Sequence, residues 1–148
     1  MNKGEKAEKL FKNGYNCSQA VLGAFCEELG LNEEVAFRLS SSFGGGMGRM
    51  REVCGAVSGM FMVAGLAAGY SDPEDAEAKK KHYALIQEMA KAFADINNSI
   101  ICRELLGLVE KEGDPTPEKR TDEYYKKRPC AELVKDAAEI TQRIIFEK

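Results

Sequence analysis

The chain has 148 residues, the size of one domain, with 44% hydrophobic and 30% charged residues, which excludes a disordered or collagenous chain. Lys and Arg number 21 against 24 Asp and Glu, and a net charge of −3 argues against a nucleic-acid partner. Tryptophan is absent and threonine occurs only at Thr116, Thr121 and Thr141, too little β-forming material for a sandwich or barrel.

In chain order, every element reads as helix. Lys3–Asn13 places Ala7, Leu10 and Phe11 on one stripe. Its start is polar, without the apolar run of a signal peptide, so the expectation is a cytoplasmic protein. Asn16 opens a second helix, with Gln19 at capping-box spacing. Leu22, Phe25, Cys26 and Leu29 follow at helical spacing, and Gly30 ends it. Asn32 caps a third helix reaching about Ser41. The run Phe43-Gly44-Gly45-Gly46-Met47-Gly48 breaks regular helix and reads as a tight loop.

From Val53 to Tyr70 no residue is charged. A membrane span is conceivable at this length, but the rest of the chain is not membrane-like, so the expectation is a buried central helix. Gly55, Gly59, Gly65 and Gly69 fall on one arc of it, where a neighbouring backbone can approach closely. Asp72-Pro73 starts the next helix, with the stripe Tyr83, Ile86, Met89, Phe93 and Ile96. Asn97-Asn98-Ser99 breaks it, and a short helix runs through Leu108. Glu110–Arg128 is rich in charge and proline and reads as an exposed loop. Pro129 opens the last helix, with Leu133, Ala137, Ile140 and Ile144 inward. There is no internal repeat. The expected architecture is one all-α domain over 1–148, a bundle of five to seven helices around the Gly-rich central one.

The five cysteines are Cys17, Cys26, Cys54, Cys102 and Cys130. In a reducing compartment they are packing residues, metal ligands or redox groups. Four of them, Cys17, Cys54, Cys102 and Cys130, fall in or near the first turn of a predicted helix. The helix dipole and free N–H groups there favour an anion, and a thiol so placed ionises readily. Cys26 instead lies mid-helix on the apolar stripe. If successive helices alternate in direction, the four thiols converge at one end of the bundle, with Cys26 apart. No CxxC pair is present, so any site is assembled by the fold.

Other candidates carry less. Gly44, Gly45 and Gly46 could form an anion-binding nest that holds a cofactor, although the run matches neither a Walker A loop nor a dinucleotide fingerprint. His82, the only histidine, follows Lys79-Lys80-Lys81 and reads as a surface residue. Met47, Met50, Met60 and Met62 fill the core or favour a soft metal.

Together these residues resemble a family. Cys54-Gly55-Ala56-Val57-Ser58-Gly59 matches a CGAxxG motif, Tyr15-Asn16-Cys17-Ser18-Gln19-Ala20-Val21 precedes it, and Cys102-Arg103-Glu104-Leu105-Leu106-Gly107 and Cys130 follow. The set is similar to the C_GCAxxG_C_C family of small redox-active proteins with four characteristic cysteines. Its label writes glycine before cysteine, whereas here Val53 precedes Cys54 and Gly55 follows it. The resemblance implies a helical chain and makes Cys17, Cys54, Cys102 and Cys130 the four family cysteines. It also implies an unidentified redox partner, and the family's gene neighbourhoods hint at a membrane transport system.

Two functions stand as expectations. The first is redox chemistry at the four cysteines, through an iron–sulfur cluster or other thiolate-bound metal, or through dithiol/disulfide exchange. The second is a metal-binding or structural module, in which the four cysteines hold zinc or a soft metal. Inert packing cysteines are the bland alternative. The small-residue helix could also serve a homodimer.

Overall fold

The computed structural model describes residues 1–107 and 114–147. All regular elements there are helical: α1 (Lys3–Lys12), α2 (Cys17–Ala24), α3 (Cys26–Leu29), α4 (Glu33–Ser40), α5 (Gly44–Met47), α6 (Gly55–Ala68), α7 (Ala76–Asn97), α8 (Cys102–Leu105), α9 (Asp122–Lys127) and α10 (Cys130–Thr141). A 3-10 turn, Ser41–Phe43, precedes α5, and a π turn, Gln142–Phe146, extends α10. With the one-turn elements set aside, the all-α bundle has the expected number of helices.

Local chemistry accounts for the starts. Asn2 caps α1, its Oδ1 accepting from Glu5 N at 2.8 Å. At α2 the capping box forms as the sequence predicts: Asn16 Oδ1 accepts from Gln19 N at 2.9 Å and Gln19 Oε1 accepts from Asn16 N at 3.0 Å. Gly30 ends α3 in the left-handed region, and Asn32 caps α4.

Helix α2 lies at the centre, packed against α1, α4, α6 and α10. Seven of its eight residues are buried. Phe11 from α1, Leu22 from α2, Phe25, Met60 from α6, Phe93 from α7 and Ile140 from α10 meet in the core, all at most 1% exposed. Each such side chain contributes roughly 1.5–3 kcal/mol by burial.

Several expectations are corrected. The uncharged stretch is helical only over Gly55–Ala68, and its last turn is exposed, with Leu66 53% accessible. The most buried helix is therefore α2. No helix among the described residues is long and apolar enough to cross a membrane. Of the four glycines, Gly55 and Gly59 face α2. Gly65 has open space beside it, and Gly69 lies past the helix end.

Helix α7 begins later than Pro73: Pro73 and Glu74 form a turn closed by Asp75 N donating to Asp72 O, and Asp75 caps the helix by accepting from Ala78 N at 3.0 Å. Of its apolar stripe only Met89 and Phe93 are buried, while Tyr83 and Ile96 are 52% and 57% exposed. Helix α8 stops at Leu105, where Gly107 takes a φ of +69°; Leu108 lies outside the described residues. Part of the charged segment read as a loop is helical, because Thr121 caps α9; residues 110–113 lie outside the described part.

Candidate functional site

Each of the four cysteines sits at a helix start. Cys17, Cys102 and Cys130 are the first residues of α2, α8 and α10, and Cys54 is the N-cap of α6. The chain draws these starts together with close glycine contacts and one short pairing. An antiparallel bridge joins Val53 to Ile101. On either side of it Cys54 N donates to Ile100 O at 2.8 Å, and Cys102 N donates to Glu52 O. This clips the segment entering α6 to the segment entering α8.

The CGAxxG motif has a packing reason. A Cβ at Gly55 would lie 2.9 Å from Phe43 O and 3.2 Å from Cys17 Cβ; one at Gly59 would lie 2.8 Å from Ser18 O and 3.0 Å from Val21 Cβ. Only hydrogen fits at either place, so α6 lies directly against the first turns of α2 and brings Cys54 beside Cys17.

The Gly-rich loop does similar work. Gly45, Gly46, Met47, Gly48 and Arg49 all have positive φ, and Gly48 N donates to Gly44 O, so the single turn α5 is wound left-handed. L-residues cost roughly 1–2 kcal/mol each in that conformation, which Met47, Arg49 and Arg51 bear. At Gly46, with φ +72°, a Cβ would lie 2.6 Å from Cys102 Cβ and 2.9 Å from Arg51 Cα. Gly44 packs against the Asn16 side chain that caps α2. The loop thus packs closely against the starts of α2 and α8, with Gly44 on Asn16 and Gly46 on Cys102.

All four cysteines line one cavity of about 390 Å³, and Gly44, Gly45 and Gly46 line it too. Cys26 is not among its lining residues; its thiol contacts Leu22 O at 3.9 Å. The methionines do not converge on a soft-metal site: Met60 is fully buried in the core and Met50 is 57% exposed. His82 packs edge-on against Tyr70, remote from the cavity lining.

The thiols differ electrostatically. Cys17 and Cys130 perturb each other in opposite directions. The neighbouring Cys17 thiol, with Arg128, Arg120 and Tyr124, lowers Cys130 to about 7 against the opposing effect of burial. The Cys130 neighbour, reinforced by burial, holds Cys17 well above its ordinary value. Burial pushes Cys54 up to about 12, although the amides of Val57 and Ala56 at the start of α6 pull it down. Burial also raises Cys102, opposed by Arg51, whose Nη1 donates to Cys102 sulfur at 3.7 Å. The expectation of four ready thiolates is therefore corrected. At Cys54 desolvation of a charged sulfur outweighs the helix-start amides, at Cys102 it outweighs Arg51, and at Cys17 the neighbouring Cys130 raises the value and burial adds to it. Cys130 is the exception because the neighbouring Cys17 thiol, and then Arg128 and Arg120, favour its thiolate more than burial opposes it.

The arginines and Tyr124 were not singled out in the sequence reading. Arg120 anchors the segment before α9 onto α1 and α2. It donates to Phe11 O at 2.9 Å and Tyr15 O at 3.0 Å, and its guanidinium lies 4.1 Å from the Phe11 ring centroid. Arg128 pairs with Glu118 at 3.3 Å. A lone arginine in a charged run carries no sequence signal that separates it from a solvated one.

The thiols do not fit a four-thiolate metal centre in this arrangement. Cys17 and Cys130 address each other, Cys102 addresses a guanidinium that would repel a cation, and Cys54 addresses its own helix. Among the described residues no group of three or more His, Cys, Asp or Glu is arranged to hold a metal ion.

The fold and the site define an all-α protein whose family-type cysteines gather at helix starts around one cavity. A family model described as putative redox-active protein (C_GCAxxG_C_C) matches residues 15–144, and the chain belongs to that family. No curated protein and no solved structure matches the chain.

Proposed function

We propose that the protein exchanges disulfides through the pair Cys17 and Cys130. The observation that carries this is that both thiols line one cavity at the starts of α2 and α10, and that each moves the other, Cys130 down to about 7 and Cys17 well above its ordinary value. The thiolate is the attacking species in exchange, and an attacking thiol is most effective when its pKa lies near ambient pH.

Cys130 thiolate attacks one sulfur of a substrate disulfide. A mixed disulfide forms at Cys130, and the other substrate half leaves as a thiolate. That thiolate takes the Cys17 proton. Cys17 sulfur then attacks Cys130 sulfur, forming the Cys17–Cys130 disulfide and releasing the second half. The substrate gains two electrons and the pair loses two. An external dithiol reductant restores the pair by the reverse exchange. Cys54 and Cys102 remain protonated at neutral pH, and in this scheme they shape the cavity.

Alkylation of the reduced protein with iodoacetamide tests the reading. Cys130 is expected to react first, with a pH profile rising through about 7. Cys17→Ala removes the largest cause of the lowering and moves that profile upward. Faster reaction at Cys26 or Cys54, or an unmoved profile in Cys17→Ala, contradicts the reading.

A further inference from the structure

Segment 114–128 supplies one part of the wall of the cysteine cavity, through Pro115, Pro117, Glu118, Arg120, Tyr124 and Arg128. The helix starts that carry Cys17, Cys54 and Cys102 supply another. The segment runs through Pro129 directly into Cys130, the first residue of α10. It contains one short helix, α9, none of whose residues is buried. Its polar contacts with the body of the protein converge on one place, the end of α1 and the turn into α2. Arg120 donates to Phe11 O and Tyr15 O, and its guanidinium covers the Phe11 ring. Tyr125 Oη donates to Lys12 O at 3.3 Å, and its ring meets Phe11 edge-on. Within the segment, Arg128 pairs with Glu118 and closes it on itself. A segment held by so few contacts opens locally far more readily than the buried helices beside it.

The thiols it helps to enclose are recessed. Cys17 is 8% exposed and Cys54 4%. Exchange requires Cys17 sulfur to reach the mixed disulfide on Cys130, so the substrate half bound there has to be accommodated inside the cavity. Its volume of about 390 Å³ is at the low end of small-molecule sites. While the segment stays in place, that space takes a small disulfide and excludes a polymeric one.

We propose that segment 114–128 is a strap that makes the Cys17–Cys130 site selective by size. Closed, it admits low-molecular-weight disulfides; a bulkier disulfide reacts only when the Arg120 and Tyr125 contacts let go. This rests on the disulfide-exchange reading above, and the step is the same. Cys130 sulfur bonds to one substrate sulfur, the other sulfur leaves as a thiolate, and Cys17 displaces the bound half. One substrate disulfide becomes two thiols as the Cys17–Cys130 disulfide forms.

The test uses the full reduced chain and two uncharged probes with the same leaving group. One is 2-hydroxyethyl 2-pyridyl disulfide, which is small; the other is methoxypoly(ethylene glycol) 2-pyridyl disulfide, which is bulky. Release of pyridine-2-thione gives the rates, and peptide mass spectrometry identifies the cysteine that reacts. Each rate is divided by that of a free small thiol with the same probe. The ratio of the two normalised rates cancels the ionisation of Cys130, since both probes meet the same thiolate. The bulky probe needs the open form, so its rate falls with the open fraction, and the small probe should lead by about tenfold or more. Arg120→Gln should cut that lead several-fold. Tyr125→Phe, which keeps the ring on Phe11 and removes only the bond to Lys12 O, should cut it less. Reaction at Cys130 without a size preference, or a lead unchanged in both variants, overturns the strap and leaves disulfide exchange standing. Failure of the small probe to react at Cys130 ahead of Cys26 overturns both.

Discussion

Gly59→Ala and Gly65→Ala form a matched pair on α6. Both positions are helical, so alanine gains the same helix propensity at each, roughly 0.8–1.0 kcal/mol. They differ in what the new methyl meets. At Gly59 it would lie 2.8 Å from the Ser18 carbonyl oxygen and 3.0 Å from Val21 Cβ; at Gly65 nothing lies within 4 Å. The Ser18 carbonyl belongs to the α2 backbone and cannot swing aside, so α6 must move off the core. Overpacking of this kind costs about 1–3 kcal/mol. Because the propensity gain cancels, that is also the expected difference between the two variants, with Gly65→Ala at or above the parent. Urea unfolding measures it as a change in midpoint at constant m, and thermal melts should differ by about 2–4 °C per kcal/mol. Equal stability within about 0.5 kcal/mol, well below that overpacking range, would refute a tight α2–α6 contact and with it the packing reason for the CGAxxG motif.

Arg120→Gln should free the segment before α9, since it loses two hydrogen bonds to carbonyls and the Phe11 stack; the loss of stability is expected at about 1.5–3 kcal/mol. Limited proteolysis should then cut within 114–121 several-fold faster, and an unchanged cleavage rate would contradict the anchoring role. Reduced protein should lose stability above about pH 8.5, where cysteines of the unfolded chain ionise. Cys17, Cys54 and Cys102 have folded values raised above the unfolded one, so their contribution is full below that pH and is lost as pH rises; Cys130, with a lowered value, works the other way from about 7 upward. Burial raises Cys26 as well, so four cysteines oppose one, each contributing up to about 1.4 kcal/mol per pH unit, and Cys54→Ala should flatten the decline. Stability that climbs steadily from pH 8 to 10 would contradict the burial of these thiols.

The sequence carried the helix starts well because capping is local. Asn16 and Gln19 specify the start of α2 within four residues, and Pro129 and Asn32 do the same for α10 and α4. The position of four cysteines at those starts was therefore readable. Their ionisation was not, because it depends on burial by helices distant in the chain: the amides of Ala56 and Val57 were foreseeable at Cys54, whereas the packing that pushes it to about 12 was not. The glycine-rich run announced a break in the helix but not a left-handed turn, in which Cys102 and Asn16 leave no room for a side chain at Gly46 and Gly44. Helix α9 was hidden inside a charged run, since only Thr121 marks its start. The arginines that line the cavity had no local signature at all. Ala56 and the residues around it showed the apolar start of α6, but where its exposure begins depends on how far α2 and α10 reach along it.

The most direct measurement is a disulfide map of the chain after equilibration in a mildly oxidising thiol/disulfide buffer at pH 7, followed by trapping in acid and peptide mass spectrometry. The account predicts a single predominant link between Cys17 and Cys130, formed ahead of any other, with Cys26 and Cys54 recovered as thiols. A predominant link involving Cys26, or a Cys54–Cys102 link with Cys17 and Cys130 left reduced, would contradict it.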